Sequence, residues 1–386
     1  MMIITTERIP INIWSNEIEE GALLQAKNLA NLPFAFDHIA VMPDVHQGYG
    51  MPIGGVLAAE GAVVPNAVGV DIGCGMSAVQ TDLHEINKKK LKTILAEIYR
   101  LIPLGFKHHK EPQDRSLMPE ISNGMPVSER EYASARHQVG TLGGGNHFIE
   151  IQKGDDGCIW IMIHSGSRNI GKQVADYYNK LAKKTGQKWD TKVPEKWQLA
   201  FLPEDSAEGR QYLREMQYCV DFAFANRKLM MERVREVFTD QFHGKVDFRG
   251  MINIAHNFAA EEIHYGKRVY IHRKGATPAE TGMTGIVPGS QGSPSFIVRG
   301  LGSPESFRSC SHGAGRKMGR KEAVRTLNFA EEKRKLDSMG ILHSIKKQRD
   351  LDEAMSAYKD IEEVMKNQQD LVDVETRLVP LAVMKG

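Results

Sequence analysis

The chain has 386 residues, a formal net charge of +2 at pH 7 and four cysteines. So balanced a charge excludes a globally basic nucleic-acid glove and leaves any RNA or DNA binding to local patches. The cysteines, Cys74, Cys158, Cys219 and Cys310, form no short-spaced pair, which excludes a disulfide scaffold, and no apolar run approaches the ~18 residues needed to cross a bilayer. An apolar content of 41% with 25% charged residues is that of an ordinary globular protein. The start, MMIITTERIP, has no basic segment leading into an apolar one. The expectation is a soluble cytoplasmic protein with reduced thiols and no membrane partner.

Apolar runs and periodicity predict the elements in chain order. Strands are expected over 38–43 (HIAVMP) and 77–81 (SAVQT), then a helix over 85–101. Two strands follow at 147–151 (HFIEI) and 158–163 (CIWIMI), with helices over 173–184 and 208–238. The longer helix carries Leu213, Met216, Val220, Phe224 and Met231 at helical spacing, a stripe for packing on a core. Strands over 268–272 (RVYIH) and 295–300 (SFIVRG) precede helices over 320–336 and 353–366. No linker, repeat or low-complexity tract divides the chain. The fold expected is α+β, one large domain over 1–386, with mixed and antiparallel sheets forming a cleft and helices at the periphery.

Glycine clusters where the predicted strands end, in HQGYGMPIGG, GVDIGCG, TLGGGNH, HSGSRNIG, PGSQG and SHGAGR. Glycine lets a backbone approach a ligand and turn its N–H groups toward anions. Four histidines stand beside such loops or at strand ends: His147, His164, His256 and His312. With Asp71 and Cys74 they make a set of Asp, Cys and His side chains of the kind that binds transition metals. Taken singly, each histidine reads as a hydrogen-bonded structural residue sooner than as a ligand. Donor softness alone favours zinc over manganese. In HGAGR, 312–316, backbone N–H groups from Gly313 to Gly315 could cradle phosphate beside a histidine nucleophile, with Arg316 as a further contact. No G-K-[ST] follows, so this is not a P-loop, and no strand–GxGxxG–helix unit is present.

The stretches PDVHQGYGMPIGG, GVDIGCGM, LGGGNHFIE, HSGSR, RKGA, PGSQGSPSFIVRG, SCSHGAGR, AYKDI and the terminal VMKG, in this order over residues 43–386, resemble the RtcB family of RNA-splicing ligases. The resemblance implies an enzyme that uses GTP and two manganese ions per chain. Its reaction would join an RNA ending in a 2′,3′-cyclic phosphate or 3′-phosphate to an RNA with a 5′-hydroxyl, in RNA splicing or repair. By matching positions, Asp71, Cys74 and His147 would hold one ion and Cys74, His164 and His256 the other. His312 would be the histidine that becomes guanylylated. The guanylate contacts implied are Asn146, His147, Phe148, Ile149, Glu150, His256, Asn257, Pro288, Gly289, Ser290, Gln291, Ser295, His312, Gly313, Ala314, Gly315 and Lys385. Gln291 departs from the family, which commonly has methionine there. Residues 105–135 and 185–210 match least, and no site is expected in them. Arg168, Arg273, Lys274, Arg299 and Arg316 are candidate contacts for RNA phosphates. The need for an activating protein stays open. So do two other readings of the same residues: a metal-dependent phosphoesterase and a non-catalytic RNA-end-binding protein.

One expectation carries a geometric tension. In a regular strand Asn146 and Glu150 share a face and His147 takes the other, so a pocket using all three needs an irregular backbone after the glycines.

Overall fold

A computed structural model describes residues 1–386. Two sheets carry the architecture. The first orders six strands as β1 (Met2–Ile4), β2 (Ile11–Ile13), β3 (Ala35–Tyr49), β4 (Met51–Ala59), β12 (Lys267–Lys274) and β11 (Asn257–His264). All its pairings are antiparallel except β2 with β3. The second orders seven strands as β10 (Ile252–Ala255), β6 (Gly75–Gln80), β8 (Ile159–Ser165), β7 (Phe148–Gly154), β17 (Val372–Lys385), β15 (Ser295–Gly300) and β14 (Thr284–Val287). It is wholly antiparallel, and its end strands β10 and β14 approach each other, so it curls into a nearly closed barrel. Two small ribbons complete the sheets: β5 (Ala62–Val63) with β9 (Leu202–Pro203), and β13 (Ala276–Pro278) with β16 (Ser309–Ser311). The expected α+β class holds.

Alternation along the barrel strands decides what faces its interior. On β8, Ile159, Ile161 and Ile163 pack outward with helix residues, while Trp160 and Met162 join Met76, Phe148, Ile254 and Leu378 inside. Both faces of this strand are covered, which is why IWIMI reads as an unbroken apolar run. His164 has the parity of Trp160 and Met162 and lies directly across from Met76 and Phe148. It therefore points into the barrel at its rim.

The helices are α1 (Glu20–Ala30), α2 (Pro65–Val68), α3 (Lys88–Leu101), α4 (Pro126–Ala135), α5 (Arg168–Thr185), α6 (Ala207–Gln241), α7 (Arg320–Thr326), α8 (Phe329–Ser338) and α9 (Ile361–Lys366). Most lie outside the sheets, but α6 is embedded. Its first half, with Tyr212, Met216 and Phe222, enters one core, and its second half, with Met230, Val234 and Phe238, enters the core under β7 and β8. Two expectations change, and one strand is added. The helix over 320–336 is broken at Leu327, and α8 starts afresh because the Asn328 side chain accepts from the Glu331 amide. The helix over 353–366 shortens to α9, preceded by 3₁₀ turns and capped by Asp360. The terminal residues, to which the sequence reading assigned no element, form β17, paired on both edges. Pro380 sits at a register shift opposite β7, the place where a strand tolerates its missing N–H.

Candidate active site

The tight loop before β6 delivers Asp71 and Cys74. Gly75 is required there, because a Cβ would stand 2.0 Å from the Ile254 carbonyl oxygen. Cys74 Sγ lies 3.3 Å from His164 Nε2 and 3.5 Å from His147 Nε2. His164 Nε2 is 3.4 Å from His256 Nε2, and His147 Nε2 is 3.1 Å from Asp71 Oδ2. Two triads result, Asp71–Cys74–His147 and Cys74–His164–His256, each with donor atoms within 4.8 Å of one another and with the thiol in common. The backbone sets the rings. His147 Nδ1 donates to the Leu142 carbonyl at 2.9 Å and His164 Nδ1 to the Asn146 carbonyl at 3.2 Å, which turns both Nε2 lone pairs toward the sulfur.

Without a cation this gathering is electrostatically unfavourable. Burial, then the neighbouring Asp71 carboxylate, pushes the Cys74 thiol well up. Burial and the surrounding imidazoles hold His164 and His256 well below the ordinary histidine range. Neutral imidazoles, a carboxylate and a thiol brought into contact fit one or two divalent ions, whose charge would reverse the thiol's shift. Behind the loop, Arg227 of α6 is wholly buried and donates to the Gly73 and Ser165 carbonyls, both at 2.9 Å, joining the Cys74 loop to the end of β8.

Beside the triads opens a cleft of 610 Å³. His312 borders it, with its ring centroid 4.9 Å from that of His256. Asp44, on β3 and fully buried, accepts from His312 Nδ1 at 2.5 Å and from the His312 backbone N–H at 3.1 Å. The Nε2 edge of the ring is left for the cleft. A Cβ on Gly315 would come within 2.1 Å of the Asp44 carbonyl oxygen, so glycine at φ 72° lets the HGAG turn close onto β3. The sequence reading missed Asp44; its one signal was a carboxylate inside the glycine-rich PDVHQG stretch.

Of the residues expected around a guanylate, Asn146, Phe148, Glu150, the 288–291 loop, the 312–315 turn and Lys385 line the cleft. The parity tension resolves at the strand's start. β7 begins at Phe148, so His147 lies before the regular alternation while Phe148 and Glu150 share the inner face. Lys385 is the cross-strand partner of Phe148 and its Nζ lies 5.3 Å from that ring. Burial pushes the Glu150 carboxyl up to about 8 against the pull of Lys385. Beneath it, Gln152 was not foreseen: its Nε2 donates to Glu150 at 2.5 Å and to Ser295 Oγ at 3.1 Å. Ser295 in turn accepts from the Gly289 amide, so it braces the 288–291 loop and does not line the cleft.

The remaining candidates are engaged within the protein, some of them away from the cleft. The Ile149 side chain belongs to the core beneath β7, because alternation turns it away from the cleft. Asn257 braces the metal loop, donating to the Asp71 carbonyl and accepting from the Gly275 amide. Gln291 ties its amide nitrogen to the Glu353 carbonyl at 2.7 Å, and its Oε1 is buried without a partner. Among the five cationic candidates only Arg316 lines the cleft, paired with Glu353 at 2.6 Å. Arg273 is enclosed and paired with Glu262, and Lys274 is buried on the Tyr49 and Asn66 carbonyls. Arg299 is engaged by Glu375. Arg168 donates to Thr141 and to the Gly105 carbonyl. Arg320 and Tyr358 complete the polar wall around Arg316, and Glu353 behind it also holds Arg320 at 2.5 Å.

Comparison with known proteins matches this sequence to a family. The profile described as tRNA-splicing ligase RtcB matches residues 25–125 and 116–386. The RNA-splicing ligase RtcB of Escherichia coli K12 is 38% identical over 100% of this chain and 99% of its own. The tRNA-splicing ligase RtcB of Nanoarchaeum equitans is 33% identical over 98% of this chain and 95% of its own. The RNA-splicing ligase RtcB homolog 1 of Entamoeba dispar is 34% identical over 94% and 81%. With the Asp, Cys and His triads, the HGAG turn and the terminal lysine all falling within the two matched segments, the chain belongs to the RtcB family of RNA-splicing ligases.

Proposed function

We propose that the chain is a GTP-dependent RNA ligase that joins 2′,3′-cyclic phosphate or 3′-phosphate ends to 5′-hydroxyl ends through a guanylylated His312. The observation that carries this reading is the His312–Asp44 pair on the wall of the cleft, beside the two triads. Binding RNA ends alone needs no positioned nucleophile.

A 3′-phosphate oxygen is a poor leaving group, so the end must be activated. With Asp44 holding the proton at Nδ1, His312 Nε2 attacks the α-phosphorus of GTP, an N–P bond forms and pyrophosphate leaves. The RNA 3′-phosphate oxygen then takes the guanylate from His312, giving RNA-(3′)pp(5′)G. The 5′-hydroxyl attacks the RNA phosphorus and GMP departs. A cyclic end is first hydrolysed to the monoester. Manganese held by Asp71, Cys74 and His147, and by Cys74, His164 and His256, would neutralise phosphate charge. Gly313, Ala314 and Gly315 line the same cleft as His312, and their amides are the donors this reading assigns to phosphate oxygens. Glu150, once ionised, accepts from guanine N–H groups, and adenine presents the opposite edge. We read residues 1–386 as one catalytic unit, because Asp44 and His312, 268 positions apart, are hydrogen-bonded at the wall of a cleft that Lys385 also lines.

The test is covalent labelling with manganese and α-labelled GTP in the absence of RNA. Wild type becomes labelled through an acid-labile, base-resistant bond, and ATP labels poorly. His312→Ala loses the label, keeps its bound metal and still joins an RNA already capped with guanylate. Label that persists in His312→Ala places the nucleophile elsewhere. Wild-type protein that opens cyclic phosphates without taking up label is a phosphoesterase.

A further inference from the structure

The loop after α3 holds a side chain that the proposed chemistry leaves unused. Phe106 is 101% exposed, the highest exposure among the large apolar side chains of the chain. Lys107, His108 and Lys110 around it are exposed as well. Lys107 Nζ lies 5.7 Å from the ring centroid of Tyr99, which is itself exposed. Burial and the nearby Arg168 push the His108 imidazole down, so this residue contributes a second ring more than a charge. Lys107 and Lys110 supply the charge.

The loop is anchored to the metal end of the site. The Gly105 amide donates to the Gly143 carbonyl at 2.8 Å and the Leu142 amide to the Pro103 carbonyl at 3.0 Å. Arg168 donates to the Gly105 carbonyl at 3.0 Å. Leu142 and Gly143 belong to the glycine-rich stretch that positions Asn146 and His147, and Arg168 opens α5 beside it. The backbone is thus held on the catalytic loop while the ring it carries faces water.

We propose that Phe106, flanked by Lys107, His108 and Lys110, is a stacking platform for a base of the RNA strand entering the cleft. The proposal rests on the ligase reading. An exposed ring followed closely by two exposed lysines matches single-stranded nucleic acid, which offers a π-face at every base and a phosphate between bases. Stacking is indifferent to sequence, as joining of arbitrary ends requires. A protein-docking surface would continue into a contiguous apolar patch, and here the exposed neighbours are cationic or ring-bearing.

The experiment uses the full chain with manganese and GTP and compares wild type with Phe106→Ala and Phe106→Trp. The probes are two RNA oligonucleotides, one with 2-aminopurine beside a 3′-phosphate and one with it beside a 5′-hydroxyl. The strand whose fluorescence is quenched on binding is the one that stacks. Phe106→Ala takes label from GTP like wild type, binds that strand roughly ten- to hundred-fold more weakly and abolishes its quenching. Its KM for RNA rises while kcat stays within about two-fold, and Phe106→Trp restores both binding and quenching. An alanine variant that binds and quenches like wild type overturns the proposal. So does one that only changes the oligomeric state. Failure of the underlying reading shows separately, as wild-type protein that neither takes label nor joins RNA.

Discussion

At the scale of single residues, Asp44 decides what His312 can do. A lone imidazole on a glycine turn has two usable nitrogens and a freely turning ring. One carboxylate oxygen accepting from both the ring and the backbone of His312 fixes the tautomer and the orientation together. Asp44 also accepts without leaving the core, so the hold costs no solvent-exposed side-chain freedom. Asp44→Asn keeps the shape but offers Nδ1 an amide in place of a carboxylate. The expected outcome is a fall of roughly 10²- to 10⁴-fold in the rate of labelling by α-labelled GTP, with metal content unchanged by elemental analysis. A variant that labels at the wild-type rate removes Asp44 from the mechanism.

At the scale of elements, the Arg273–Glu262 pair ties strands β11 and β12 to β16, the strand that leads into His312. Arg273 meets Glu262 at 2.5 Å and also donates to Ser309 Oγ at 2.9 Å and to the Phe307 carbonyl at 3.1 Å. Burial alone would raise the Glu262 carboxyl, but the charge of Arg273, with hydrogen bonds from His264 and Arg273, outweighs it and holds the group at about 2. Such a depressed carboxylate contributes stability that is complete above the unfolded value of 4.5 and is lost as pH falls through about 2. Urea unfolding therefore shows Glu262→Gln less stable than wild type by roughly 3 kcal/mol at pH 6. The gap closes progressively between pH 4.5 and 2. A gap independent of pH across that window assigns the loss to packing and not to the ion pair.

At the scale of the molecule, the cleft is closed by the last turn of the chain. β17 lies between β7 and β15, so its final residues sit against the catalytic loop, and the Gly386 amide donates to the His147 carbonyl at 3.2 Å. Deleting Lys385 and Gly386 leaves most of the β17 ladder intact but removes the ammonium that faces Glu150 and Phe148. Thermal melting should shift by only a few degrees, about what one lost hydrogen bond and one contact supply. The GTP concentration needed for half-maximal labelling should rise at least roughly ten-fold, because a contact to a charged group is lost. A collapse of the melting temperature with no specific effect on GTP use makes the terminus a structural strand end only.

The sequence by itself determined the chemistry-bearing residues and the barrel strands nearest them. Asp71, Cys74, His147, His164, His256 and His312 are metal-ligating or nucleophilic residue types beside glycine loops or at strand ends, and IWIMI is an apolar run of the kind a strand covered on both faces produces. These signals are local, carried by neighbours within one loop or one strand. What the tertiary structure decided is long-range. Asp44 is an unremarked carboxylate until β3 passes under the HGAG turn, and Arg273 looks like an RNA contact until Glu262 faces it across the hairpin. Gln152 acquires a role only because Ser295, from another strand, meets it beneath Glu150. β17 is masked by Pro380 and its charged residues until two flanking strands pair with it. Periodicity reports which face of an element is apolar, but not which distant element covers that face, and the partner of a buried charge is chosen by that second fact.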